Sequence, residues 1–216
     1  ALIARYAAEL PSIEAWLDWG YAGEACRAGA SRSARLTALL ENLYVVTGLL
    51  RERGERLHTA LKAARRCADL QGEANTLRAL GDLGLREADL KGARARYEAA
   101  LPIYQAIGAR LGEANALQGL GILAQVEGEY QQSWEHLRAA LALHSQIQDR
   151  LGMAADYGHM ARTARAAAQP VLAIVLADEA LNLLRAIGDR WGEMLALEDQ
   201  GAALWEIEQQ VPALAA

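Results

Sequence analysis

Three stretches of this sequence carry residue types and spacings that chemistry uses. Gly119-Leu120-Gly121-Ile122-Leu123-Ala124 satisfies the glycine pattern of a dinucleotide-binding turn. That pattern works only where a strand turns into a helix and its backbone faces a pyrophosphate. Glu55-x-x-His58 and Asp156-x-x-His159 each set a carboxylate one helical turn from an imidazole, the spacing used in di-iron bundles. Such a centre needs further carboxylates on facing helices. Nothing in the sequence completes either pair, so both are expected on solvated helix surface. The sequence has no H-E-x-x-H, G-x-S-x-G or Walker-type loop. Cys26 and Cys67 are too few for a disulfide framework or a thiolate zinc site. Cys67 falls in register with Ile107, Ile147 and Ile187, which predicts a buried, inert thiol. No catalytic residue, metal ligand or cofactor is nominated, and the expectation is a protein that is not an enzyme.

The elements that would hold these residues are set by a repeat. Gly72-Glu73-Ala74-Asn75, Gly112-Glu113-Ala114-Asn115, Gly152-Met153-Ala154-Ala155 and Gly192-Glu193-Met194-Leu195 begin forty residues apart. Self-similarity at a period of ~20–50 residues marks a repeat array. Within each unit, apolar residues recur at helical spacing and break once. Leu77, Leu80, Gly81 and Gly84 form one series, and Ala93, Tyr97, Ala100 and Leu101 the next, after Arg86-Glu87-Ala88-Asp89. Each unit therefore reads as two antiparallel helices, about 72–86 and 90–107 in the first clear copy. Gly108 is a left-handed stop, Asp149 and Asp189 are N-caps, and Glu73, Glu113 and Glu193 lie in first turns. Gly81, Gly121, Ala161 and Gly201 recur at one site on the first helix, and Ala93, Ser133 and Ala173 at one site on the second. Side chains this short let helices approach closely. Pro170 and Pro212 suit the first turn of second helices, whereas Pro102 falls inside one and should kink it.

Composition agrees with an all-α chain: 53% of residues are hydrophobic, mostly Ala and Leu, and Phe is absent. A net charge of −5 speaks against nucleic acid as a partner. No apolar run approaches the ~20 residues of a membrane span, and no signal-peptide pattern opens the chain. A cytoplasmic segment of a larger protein is expected. Residues 1–30 read as an N-terminal helical cap, with Leu10-Pro11-Ser12 as a boundary before Ile13, Trp16, Leu17 and Tyr21. Residues 31–216 form the repeat region, in units of about 32–71, 72–111, 112–151 and 152–191 with a partial unit 192–216. In the first of these, Glu41 replaces the close-contact glycine.

Leu80-Gly81, Ala93, Tyr97 and Ala100-Leu101 resemble the small and large positions of the tetratricopeptide repeat, and Leu120-Gly121, Ser133, Leu137 and Ala140-Leu141 repeat them. The usual unit is ~34 residues, so this resembles a longer subtype. Ala100-Leu101-Pro102-Ile103-Tyr104, Ile187-Gly188-Asp189-Arg190-Trp191-Gly192-Glu193 and Tyr6-Ala7-Ala8-Glu9-Leu10-Pro11-Ser12-Ile13 are similar to the C-terminal sensor regions of bacterial signal-transduction ATPases (STAND/NB-ARC) and MalT-like regulators. The resemblance implies a right-handed α-solenoid whose first helices line a concave groove. It places Arg35, Asn42, Asn75, Arg78, Asp82, Arg86, Asn115, Gln118, Gln125, His159, Arg162 and Arg165 in that groove. The implied partner is a protein or peptide segment of acidic character, or another domain of the parent chain. The alternative is a small-molecule-sensing domain. Met194, Leu197, Leu204 and Trp205 on the last helix, with Gln200 as a partial polar cap, predict weak self-association.

Overall fold

The structure, a computed structural model, describes the backbone of residues 50–214 and side chains from 54 to 209. The N-terminal cap, Arg35, Asn42 and the first helix of the 32–71 unit lie outside the described residues. What is described is all-α: α1 Leu50–Arg66, α2 Leu70–Arg86, α3 Leu90–Ile107, α4 Arg110–Val126, α5 Tyr130–Gln146, α6 Arg150–Ala166, α7 Pro170–Ile187 and α8 Arg190–Leu214. Helices start every twenty residues, so the forty-residue unit is two equal halves. They pack as consecutive neighbours, α1 on α2, α2 on α3, α5 on α6, α6 on α7 and α7 on α8, an α-solenoid arrangement. The chain divides into two compact units, residues 1–112 and 113–216.

One turn is used seven times. Residues 68, 88, 108, 128, 148, 168 and 188 all have positive φ, from 51° to 80°. The next residue then donates its N–H to the carbonyl five residues back, as in Asp89 to Gly84 at 2.8 Å and Asp149 to His144 at 2.9 Å. This is the paired-bond helix stop that suits glycine. Three of the seven sites are glycines, Gly108, Gly128 and Gly188, but Ala68, Ala88, Gln148 and Ala168 take the same conformation. The residue after the stop opens the next helix. Asp69, Asp89, Asp149 and Asp189 each accept from the backbone N–H three residues on, at 3.0–3.1 Å. Pro170 takes the first turn of α7 as expected. α3 runs on through Pro102. Pro212 departs from expectation: α8 continues through it to Leu214, so no second helix begins there.

The repeat glycines are explained by what faces them. A Cβ on Gly81 would lie 2.6 Å from Tyr97 Cε1, and one on Gly121 would lie 2.6 Å from Leu137 Cγ. A large side chain of the following helix lies over each. The marker glycines that open the units do the same in the other direction: Tyr104 packs onto Gly112, His144 onto Gly152 and Leu184 onto Gly192. The core is therefore a thin layer of alanine and leucine with a few large residues, such as Leu57, Leu80, Tyr97 and Tyr104 in unit 1 and Leu137, Met160 and Leu176 in unit 2.

Candidate functional site: the polar face of the first helices and the α6–α8 cleft

In unit 1 the predicted face of α2 is bound up with α3. Tyr104 Oη donates to Asn75 Oδ1 at 2.9 Å, and Gln71 Nε2 donates to the same oxygen at 3.0 Å. Arg78 Nη1 pairs with Asp82 Oδ2 at 2.6 Å, while Tyr97 Oη donates to Asp82 Oδ1 at 2.7 Å. Burial raises the Tyr104 phenol above its ordinary pKa, against the opposing pull of Arg78. Asn75, Arg78 and Asp82 are half-buried, and only Arg86 of this set is exposed. These side chains hold the two helices in register.

In unit 2 the equivalent network is deeper. Gln118 Nε2 donates to Asp156 Oδ1 at 2.7 Å, and His144 Nδ1 meets Asp156 Oδ2 at 2.6 Å. His144 and Asp156 side chains are both fully buried. Burial pushes the Asp156 carboxyl up, opposed by its bonds to His144 and Gln118. The expectation of a solvated Asp156–His159 pair is corrected here. Asp156 faces His144 on the preceding helix, while His159 turns to Arg162. Residues three apart on a helix differ in direction by about 60°, enough for two neighbouring helices to divide them. Glu55 and His58 are exposed, as expected. The glycine-rich 119–124 stretch lies inside α4, with Gly119, Gly121 and Ala124 buried in packing.

His159 and Arg162 belong to a cleft of about 270 Å³ within unit 2. Leu151, Ala154, Ala155 and Gly158 of α6 form one wall, and Leu184 of α7 adds to it. Trp191, Leu195, Ala196 and Asp199 of α8 form the other. Repeat register explains the opening. Ala155 stands where earlier units have Asn75 and Asn115, and Gly158 where they have Arg78 and Gln118. Two truncated side chains leave the space. Trp191, 68% exposed, stands beside it.

The polar end of the cleft mixes donors with one acceptor. Arg162 Nη2 donates to His159 Nδ1 at 3.2 Å, which assigns the ring proton to Nε2, since a guanidinium cannot accept. Arg162 Nε lies 3.7 Å from Asp199 Oδ2 and is buried without a hydrogen bond in the protein. Burial, helped by the Arg162 charge, lowers His159 to about 3, so the imidazole is neutral at ordinary pH. Burial raises the Asp199 carboxyl, opposed by Arg162 and Arg165. Arg165 pairs with Glu206 Oε1 at 2.9 Å, and Asn115 and Gln125 are half-buried on α4. Sequence reasoning found His159 and Arg162 but not Trp191 as members of one site. The loss of side chains at 155 and 158 was the signal available.

Cys67 is disulfide-bonded, which corrects the expected free thiol. Cys67 is buried, as expected, but its register does not explain that: Ile147 and Ile187, at the same position in later units, are exposed. Its redox state depends on where the other cysteine sits, which a repeat alignment does not tell.

No protein-family model matches the chain, and no curated protein matches it. Among solved structures the fold is similar to the crystal structure of BtubC (BKLC) from P. vanneervenii, with a TM-score of 0.80 and 15% identity over 100% of this chain and 88% of that one. At that identity the likeness establishes the fold alone: the chain is an all-helical repeat protein.

Proposed function

We propose that this chain is a non-enzymatic protein-interaction module of tetratricopeptide type, the sensor or scaffold part of a larger bacterial signalling or regulatory protein. It grips a protein or peptide segment along its first helices, with the α6–α8 cleft as the anchor for one side chain. The cleft carries the reading. At about 270 Å³ it lies just under the ~300–1,000 Å³ of pockets that enclose a drug-sized ligand, and suits a single large side chain. A guanidinium donor beside a carboxylate acceptor matches the C=O and N–H of a peptide bond. A bare carboxylate would gain Arg162 but meet Asp199, so an amide-bearing segment is favoured over a strongly acidic one.

The test uses an arrayed library of linear peptides as probe. Peptides that bind the wild type should lose at least about tenfold in affinity against Arg162→Glu and Trp191→Ala, the effect of one charge-assisted contact or one aromatic wall. The dimensions of the cleft also admit a small metabolite. Thermal stabilisation by a metabolite panel, with no peptide binding, would favour that sensing role. No helix among the described residues is long and apolar enough to cross a membrane. The proposed cytoplasmic setting is in tension with the Cys67 disulfide, because such bonds rarely persist in a reducing cytosol.

A further inference from the structure

The side of α8 turned away from the cleft is unlike that of α2, α4 or α6, the earlier first helices among the described residues. α8 buries Ala196 and Ala203 against its neighbours. On the opposite side, Arg190, Met194, Leu197, Gly201, Leu204 and Glu208 are all exposed, the three apolar ones at 47% each. Their spacing is four, three, four, three, four, the seam of a two-stranded coiled coil. Gly201 holds the register position of Gly81 and Gly121, which are covered by Tyr97 and Leu137 of the following helix. A Cβ on Gly201 meets nothing within 4 Å. The socket is present, and within the described residues no knob fills it.

The seam is complementary to itself when reversed. Pairing α8 with an inverted copy about residue 199 sets Leu197 against Gly201, Met194 against Leu204 and Arg190 against Glu208, each pair equidistant from that midpoint. A large side chain meets each empty socket, two apolar pairs flank them, and opposite charges meet at both ends. A parallel pair would instead set Arg190 on Arg190, Glu208 on Glu208 and glycine on glycine. We propose that two copies of this chain associate through α8 in the antiparallel two-fold arrangement. The seam is only about 27 Å long at 1.5 Å per residue. At about 100° per residue, Glu198 lies on one flank near the midpoint, where the two-fold axis brings both copies of it together. A small contact with a like-charge edge gives a weak dimer, with a Kd on the order of 100 μM. The cleft, on the other side of α8, stays open.

Sedimentation equilibrium on the whole chain from about 10 μM to 1 mM brackets that Kd and should show a monomer–dimer equilibrium. Gly201→Leu fills the socket and should weaken the dimer at least tenfold, with thermal unfolding unchanged or raised because the new side chain enters open space. Arg190→Glu and Glu208→Arg should each weaken it, and the double swap should restore it. Glu198→Gln should tighten it. A wild-type chain that stays monomeric across the range overturns the proposal, whatever else covers α8. A dimer indifferent to Gly201→Leu and to the charge swap overturns it equally, by placing the contact elsewhere.

Discussion

His159 and Asp156 show how one helix turn can serve two environments. His159 is neutral in the fold, with a pKa of about 3 against 6.5 when free. Between those values the unfolded chain binds a proton that the folded chain refuses, so unfolding becomes easier as pH falls from 6.5 toward 3. Asp156 and Asp199 have raised values and act with the opposite sign, because there the folded state holds the extra proton. Urea denaturation at pH 7, 5.5 and 4 should therefore show a steeper acid loss in the wild type than in His159→Gln, and parallel curves would contradict the assignment. Asp156→Ala leaves His144 Nδ1 and Gln118 Nε2 without their partner in a fully buried site. A loss of about 3 kcal/mol is expected at pH 7, typical of breaking one side of a buried polar pair. Arg78 needs more care than its place on the predicted groove implied. Its 2.6 Å pair with Asp82 means that Arg78→Glu should cost stability, whereas Arg162→Glu tests binding with less disturbance.

At the scale of the helix, the repeated turn and the glycine contacts make opposite predictions for similar substitutions. Ala88 sits at φ 60° in the left-handed stop, where a Cβ costs roughly 1 kcal/mol. Ala88→Gly should therefore raise the urea midpoint, by about 0.5–1 kcal/mol in free energy. Gly81→Val should lower it by about 2–3 kcal/mol, because Tyr97 already occupies the space. Gly201→Ala, at the same register position but with nothing opposite, should be neutral or stabilising through helix propensity alone. If Gly81→Val and Gly201→Ala behaved alike, the packing account of the recurring glycines would be wrong.

For the molecule as a whole, packing between sequence neighbours makes stability approximately a sum over adjacent helices. Ala88→Gly and Ala168→Gly lie in different compact units, so their effects should add within about 0.5 kcal/mol. Strong non-additivity in the double variant would show that the two turns are coupled. Mostly local packing also implies low contact order and refolding within milliseconds, readable by stopped-flow fluorescence of the tryptophans.

The sequence by itself determined the helices, their order and most of their ends. Apolar spacing, Asp149 and Asp189 as caps and Gly108 as a stop act within a few residues, and a forty-residue repeat shows each of them more than once. It also marked the close contacts at Gly81 and Gly121, because a small residue kept at one register position implies a neighbour pressing on it. The left-handed turns at Ala68, Ala88, Gln148 and Ala168 were not legible, since alanine and glutamine carry no signal for that conformation and adopt it only because the helices on either side require it. The tertiary structure alone decided that Asn75, Arg78 and Asp82 are tied to α3 and its tyrosines, and that Asp156 is buried against His144. It also decided that Trp191 joins His159, Arg162 and Asp199 around one cleft. Those outcomes depend on side chains from different helices meeting across a packed face, and spacing within any one helix does not encode that.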